Sequence, residues 1–254
     1  MVLVSVSSSK GGSGKSTTSI NLGVALAQLG KDVTVIDANL STPNLSMYLG
    51  APNLPITLHH VLKGEAHIHE ATYQHASGAK IIPASISMRN FENINLADLQ
   101  YHLPHIKSEF IILDGAAGID AEAQAPIQMS DQVLIVASPE LPSVADALKT
   151  VRIAQHHGKH VRGAVLTRAG HHLDLKIKNV ETILEHPVIG VVPEDHYIKA
   201  ALVKREPVVH VFPQSPSAIA YKQLASYFAG HAELFVNDEI PKIYKAMRWM
   251  IGLR

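Results

Sequence analysis

The sequence predicts an α/β fold: a single doubly wound, mostly parallel sheet of about seven to eight strands with helices on both faces. Three observations carry this expectation. Short apolar, β-rich runs alternate with helix-spaced segments almost throughout. A glycine-rich turn lies between the first run and the first helix. One run, FIILD at 110–114, is apolar without alternation up to its closing aspartate, as a strand covered on both faces must be.

VLVSV at 2–6 is the first strand and runs into the glycine turn. TTSINLGVALAQLG (17–30) carries apolar residues at helical spacing and stops at Gly30. DVTVID (32–37) is the second strand, and its exit, ANLSTPNLSMYLG (38–50), is a loop running into a short helix. ITLHHVLKG (56–64) reads as a helix, and AKIIPAS (79–85) as a third strand closed by Pro83. LADLQYHLPHI (96–106) is a helix that Pro104 interrupts. Beyond FIILD follow the strand QVLIVAS (132–138), a helix through ADALKTVRIAQHHG (145–158), the strand VRGAVLT (161–167) and the helix DLKIKNVETILEH (174–186). PVIGVVPED (187–195) and EPVVHVF (206–212) read as the last strands, with SAIAYKQLASYFAG (217–230) as the closing helix. Helices of this length between strands imply βαβ crossovers. No repeat or long linker divides the chain, so residues 1–236 form one expected domain and 237–254 a tail.

Composition narrows the function classes. The 254 residues include no cysteine, which excludes disulfides, thiolate zinc sites and cysteine-ligated iron–sulfur clusters. Lys and Arg balance Asp and Glu at 22 each, which argues against a whole-surface nucleic-acid binder. MVLVSVSSSK lacks the basic start and apolar length of a signal peptide, and no stretch approaches the roughly 20 apolar residues of a bilayer span.

The stretch SSSKGGSGKST at 7–17 holds the strongest local signal. Gly14-Lys15-Ser16, preceded by Gly11 and Gly12, follows a strand and opens a helix, the context of a phosphate-binding loop. Glycines let backbone N–H groups turn towards a phosphate, and the helix N-terminus adds its positive end. Lys15 would contact the β- and γ-phosphates, and the Ser16 hydroxyl would bind Mg²⁺. Gly11, Gly12, Ser13, Gly14, Lys15, Ser16 and Thr17 therefore make up the expected phosphate cradle for ATP or ADP. Lys10 stands where the usual GxxxxGK[ST] pattern has its first glycine.

With Lys10 the stretch reads KGGSGKS, which resembles the deviant Walker A loop of the MinD/ParA family of P-loop ATPases. NLGVALAQLGKDVTVIDAN, PNLSMYLG, HHVLKGEA, KIIPAS, DGAAGID, ADALKTVRIA, LTRAG and VIGVVPED look like the MinD branch, in its order and over nearly the whole chain. The resemblance implies an ATP-dependent homodimer in which Lys10 reaches the other subunit's nucleotide. Such a second ammonium would act when charge develops on the transferred phosphoryl group. By the same resemblance, Asp114 holds a magnesium-bound water, Asp37 belongs to the magnesium surroundings and Gly118 closes the second switch loop. The adenine is expected near Thr167, Arg168 and the backbone of Pro193, Glu194 and Asp195.

The family pattern fails at one place. MinD-like proteins carry an aspartate two positions after Asp37 that orients the attacking water, and this chain has Asn39 there. An amide oxygen can hold a water but cannot take up its proton as a carboxylate can, and losing an acid–base group costs roughly 10²–10⁴ in rate. The expectation is ATP binding with weak hydrolysis, Asn39 standing in the catalytic position with Lys10 and Lys15. Another group near the switch could replace the carboxylate, Asp120 and Glu122 being the candidates; alternatively Asn39 caps the short helix after it.

In NDEIPKIYKAMRWMIGLR (237–254), Ile240, Ile243, Tyr244, Met247, Met250 and Ile251 share one face at about 100° per residue, with Lys242, Lys245 and Arg248 opposite. This amphipathic basic helix suits a bilayer interface and is similar to MinD's membrane-targeting tail. Residues Ile240–Arg254 are thus expected to bind an anionic membrane surface. The alternative is a final helix packed on its own domain.

The 16 histidines show no metal-ligand spacing beside acidic partners. The leading reading is therefore a MinD-like, ATP- and Mg²⁺-dependent dimerising switch, cytoplasmic and peripheral on the inner face of the cell membrane, that positions an unidentified regulatory or cargo protein. Two rivals stand beside it: a ParA-type partition ATPase binding DNA non-specifically, and a scaffold that holds ATP without hydrolysing it.

Overall fold

The computed structural model describes residues 1–50, 54–86 and 94–231. The tail at 237–254, and the domain boundary at 236, lie outside the described residues. In chain order the described elements begin with β1 (Val2–Ser8), α1 (Lys15–Gln28), β2 (Val33–Ala38), α2 (Leu58–Leu62), β3 (Tyr73–Gln74), β4 (Lys80–Ile82) and α3 (Leu99–His102). They continue with β5 (Phe110–Ala117), α4 (Ala121–Met129), β6 (Gln132–Ala137), α5 (Leu141–His156), β7 (His160–Ala169), α6 (Ile177–Leu184), β8 (Val188–Pro193), α7 (His196–Val203), α8 (Val208–Val211) and α9 (Pro216–Phe228).

Among the described residues the strands form one eight-stranded sheet in the order β3-β4-β2-β5-β1-β6-β7-β8. All pairs are parallel except the short β3–β4 hairpin. The apolar runs explain the layering. Ile112 of β5 packs with α1, α8 and α9, while its neighbours Ile111 and Leu113 pack with α2, α3 and α4 on the other face. Beyond β1, Val133, Ile135 and Leu166 join α5 and α6 in a third apolar cluster. Period-2 alternation thus sends successive side chains of one strand into different clusters.

Chain direction across the sheet reverses at β1, which lies between β5 and β6. Ligands of open α/β sheets bind beyond the strand C-termini at such a reversal, and the glycine loop sits there.

Several sequence expectations need correction. EPVVHVF is not a strand: Pro207 starts the single-turn helix α8, and Val208 and Val209 are buried in the cluster shared with α1 and α9. The Val209 N–H donates to Asn21 Oδ1 of α1 at 3.1 Å, so its donor goes to a helix and not to a sheet ladder. β3 and the helices α4 and α7 have no counterpart in the sequence reading. The segment at 96–106 breaks into a 3-10 turn (Leu96–Asp98), α3 and a second 3-10 turn (Leu103–His105) around Pro104. Asn39 does not cap the short 3-10 helix Leu45–Leu49, whose N-cap is Asn44.

Candidate functional site

Gly12 and Gly14 both lie in the left-handed region, at φ 74° and 91°. Gly14 is doubly required, because a Cβ there would stand 3.3 Å from Thr167 Cγ2. With a glycine as N-cap, α1 starts without a side-chain cap, so its first N–H groups face outward for an anion. Lys15 is 7% exposed and donates to the Lys10 carbonyl at 3.5 Å. Burial lowers its pKa, and the negative charge of Asp114 opposes that shift. Lys10 is exposed, and its ammonium has no ion pair among the described residues, although its charge, after the hydrogen bond and charge of Lys149, helps to lower the pKa of Asp146 on α5.

Asp37 of β2 and Asp114 of β5 lie in direct register and both are fully buried; β5 does not close at Asp114, as the FIILD run suggested, but continues to Ala117. Burial raises the pKa of each, and Asp114's charge raises Asp37's further. The two carboxylates do different work. Asp37 Oδ2 accepts the N–H groups of Asn44 and Leu45, both at 2.9 Å, and so anchors the loop that follows β2. Asp114 Oδ1 accepts Ser19 Oγ at 2.9 Å, while its buried Oδ2 has no hydrogen-bond partner among the described residues. Ser16's hydroxyl reaches the same carboxylate closely enough to oppose the rise in its pKa. An orphaned carboxylate oxygen beside a serine hydroxyl fits a hard divalent cation such as Mg²⁺. Such an ion would neutralise phosphate charge, and Ser16 and Asp114 would hold it.

Asn39 is committed to the protein. Its Nδ2 donates to the Thr42 carbonyl at 2.7 Å and to Thr42 Oγ1 at 3.0 Å, and its Oδ1 accepts the Thr42 N–H and hydroxyl. Neither candidate substitute carboxylate is loose. Asp120 caps α4 through the Ala123 N–H at 2.9 Å, and Glu122 holds Ser41.

These groups surround a cleft of about 390 Å³ lined by Gly11, Gly12, Gly14, Lys15, Ser16, Thr17, Asn39 and Arg168. Thr42, Asn44, Met47, Tyr48, Ala117 and Leu202 complete the wall, and sequence reasoning missed them. Leu202 belongs to the unread α7, and Tyr48 carries no local signal that separates it from a core aromatic. Thr167, Pro193, Glu194 and Asp195 do not line this cleft. Thr167 Oγ1 donates to the Ser13 carbonyl, and the Glu194 N–H donates to Ala169 O at 2.8 Å. Asp195 caps α7 through Tyr197 N and receives Ser217 N and Oγ on Oδ2, joining the starts of α7 and α9.

A strand–glycine loop–helix cradle closed by a buried lysine is the site of a P-loop nucleotide-binding protein. The family model "CobQ/CobB/MinD/ParA nucleotide binding domain" matches residues 4–208, and the chain belongs to this family. An uncharacterised ATP-binding protein of Methanocaldococcus jannaschii is 39% identical over 232 residues, covering 90% of this chain and 88% of its own length. The crystal structure of the cell division ATPase MinD of Pyrococcus furiosus superposes with a TM-score of 0.86 at 30% identity, covering 91% of this chain and 100% of its own. The MinD of Pyrococcus horikoshii, solved in complex with Mg-ADP, gives 0.84 at 29% identity, covering 89% and 94%. The eight-stranded, mostly parallel sheet is thus that of the MinD ATPases.

Proposed function

We propose that this protein is an ATP-dependent dimerising switch that attaches to an anionic membrane surface through residues 240–254 and positions a second protein there. ATP with Mg²⁺ occupies the cleft, and turnover is slow. The placement of the two lysines carries the reading. Lys15 is buried in its own cradle, whereas Lys10, five residues before it, is exposed with no ion pair among the described residues. A cation held out beside a triphosphate is best used on charge that a second molecule brings.

The surroundings support a second copy as that molecule. Ile119, Leu141 and Leu173 follow the C-terminal ends of β5, β6 and β7, and are 54%, 59% and 77% exposed. Three exposed apolar side chains on the edge that carries Lys10 suit a surface that another chain covers. Slow turnover follows from Asn39, which lacks a carboxylate and whose amide is spent on Thr42. Among the described residues no helix is long and apolar enough to cross a membrane; the proposed attachment uses the basic, amphipathic pattern of residues 240–254.

Sedimentation with and without ATP and Mg²⁺ tests the reading. The wild type should shift from monomer to dimer with ATP, and Lys10→Ala should bind ATP and stay monomeric. A Lys10→Ala variant that dimerises as the wild type does removes the basis of the proposal.

A further inference from the structure

Two loops flank the phosphate end of the cleft: residues 39–44 after β2, and residues 118–120 after β5. One side chain joins them. Glu122, in the first turn of α4, accepts the Ser41 N–H on Oε1 at 2.9 Å and the Ser41 hydroxyl on Oε2. Ser41 lies inside the turn that Asn39 and Thr42 close. The far end of that loop is tied to Asp37 through Asn44 and Leu45. Of these three ties, only the one through Glu122 leads to the other loop. α4 follows that loop directly, and Gly118 donates to the Ser8 carbonyl at 3.3 Å, where β1 enters the phosphate cradle.

We propose that Glu122 is a positioning residue of the nucleotide site, a latch that makes the 39–44 loop and the start of α4 move as one unit. This rests on the nucleotide reading above. Two hydrogen bonds to one carboxylate fix direction as well as distance, and the charge strengthens both. A γ-phosphate that touches either loop is then felt by both, so ATP is told from ADP by the pair together. A ligand shifts such an equilibrium only by its differential contacts with the two arrangements, and the latch doubles the contacts that count. The idea also explains Glu122's position. The residue is half-buried, and its carboxylate, though at the solvent-exposed surface, is turned onto a serine of the opposite loop.

Substitution separates this role from a carboxylate that itself takes up a proton. Glutamine keeps both hydrogen bonds, accepting the Ser41 N–H on Oε1 and donating from Nε2 to Ser41 Oγ, but carries no charge. Alanine keeps neither.

The experiment uses the full chain as wild type, Glu122→Gln and Glu122→Ala. It measures Kd for fluorescent ATP and ADP analogues with Mg²⁺, and amide hydrogen exchange over 41–44 (the amides of Ser41, Thr42 and Asn44) without nucleotide. The Ala variant should lose about tenfold of the preference for ATP over ADP, with its ADP Kd unchanged, and exchange faster at 41–44. The Gln variant, which keeps both bonds without the charge that strengthens them, should lie much closer to the wild type than to the Ala variant in both. An Ala variant with the wild-type preference overturns the latch, and so does a Gln variant as impaired as the Ala one. Should the wild type bind neither nucleotide, the nucleotide reading fails by itself. Exchange still decides the latch in that case: rates at 41–44 unchanged by Glu122→Ala overturn it.

Discussion

The hydroxyl of Thr167, at the end of β7, donates to the backbone carbonyl of Ser13 across 2.6 Å, with the Ala137 carbonyl a longer second acceptor at 3.3 Å. A residue 154 positions away thereby fixes the peptide that precedes Gly14. Its methyl group fills the space that any side chain at position 14 would need. Thr167→Val keeps the shape and removes the hydroxyl, leaving a buried carbonyl with a weaker set of partners. We expect a loss of about 1–2 kcal/mol in stability and a several-fold rise in nucleotide Kd, read by thermal melts and fluorescent-nucleotide titration. An unchanged Kd would show that the loop holds its shape without this bond.

Asn39→Asp should restore hydrolysis at the cost of a local clash. The Asn39 amide nitrogen lies 2.7 Å from the Thr42 carbonyl, so a carboxylate oxygen there would face another acceptor and push the turn open. The freed carboxylate would stand where MinD-like proteins keep theirs. Turnover should rise by roughly 10²-fold, while stability falls by about 1–2 kcal/mol. Phosphate release and urea melts measure the two effects; a variant with wild-type turnover would mean that position 39 is not where water is activated.

Acid should weaken the fold through His59. This buried side chain of α2 accepts the Ser85 N–H on Nδ1 at 2.9 Å, so protonating that nitrogen breaks the bond. Burial, then the positive charges of His60 and Lys63, push its pKa down from 6.5 to about 4. The unfolded chain binds a proton near 6.5, before the folded one does. The stabilisation is therefore complete above that pH, is lost as pH falls towards about 4, and levels off below. The loss amounts to at most about 3 kcal/mol. His59→Asn keeps an acceptor that does not titrate. Urea midpoints at pH 7 and pH 5 should draw closer together in this variant than in the wild type.

Gly23→Ala should destabilise although alanine is the better helix former. A Cβ on Gly23 of α1 would fall 2.3 Å from Val35 Cγ2 of β2, and Val35 is fully buried. Helix propensity contributes about 1 kcal/mol in favour, and overpacking opposes it with typically 1–3 kcal/mol or more. The net loss should shrink when Val35→Ala is added. Chemical denaturation of the two single variants and the double variant gives the coupling.

Deleting residues 240–254 should abolish pelleting with anionic vesicles and leave ATP-dependent dimerisation intact. In the proposed dimer two tails would act at an effective concentration near mM, which would raise avidity by roughly 10²–10⁴ over one tail. Co-sedimentation with ATP should therefore exceed that with ADP in the full chain only. Equal pelleting of the deleted form would assign the membrane contact to the domain.

The strands were legible because burial on both faces demands unbroken apolar runs, and Ile111, Ile112 and Leu113 are all fully buried. The phosphate loop was legible because its chemistry is local, with seven residues in fixed order between a strand and a helix. α4 escaped notice because AEAQAPIQM holds Pro126 within a weakly apolar segment. β3 has two residues, too few for any period to appear. EPVVHVF misled because a buried helical turn and a short strand are equally apolar, and only the donors' partners tell them apart.

From its residues alone the chain determined a doubly wound sheet and a phosphate cradle, which depend on periodicity and on spacings of a few residues that survive in one dimension. Its resemblance to the MinD-like pattern singled out Asp37, Asp114 and the absence of a carboxylate at position 39. Only the fold decided that Thr167 braces Ser13, that Asp37 anchors a loop while one Asp114 oxygen is left without a hydrogen-bond partner among the described residues, and that Glu122 grips Ser41 from 81 residues away. Each of these is a pairing of groups distant in sequence. Which donor meets which acceptor is set by the register of neighbouring strands and the packing of helices on them, and no local pattern encodes either.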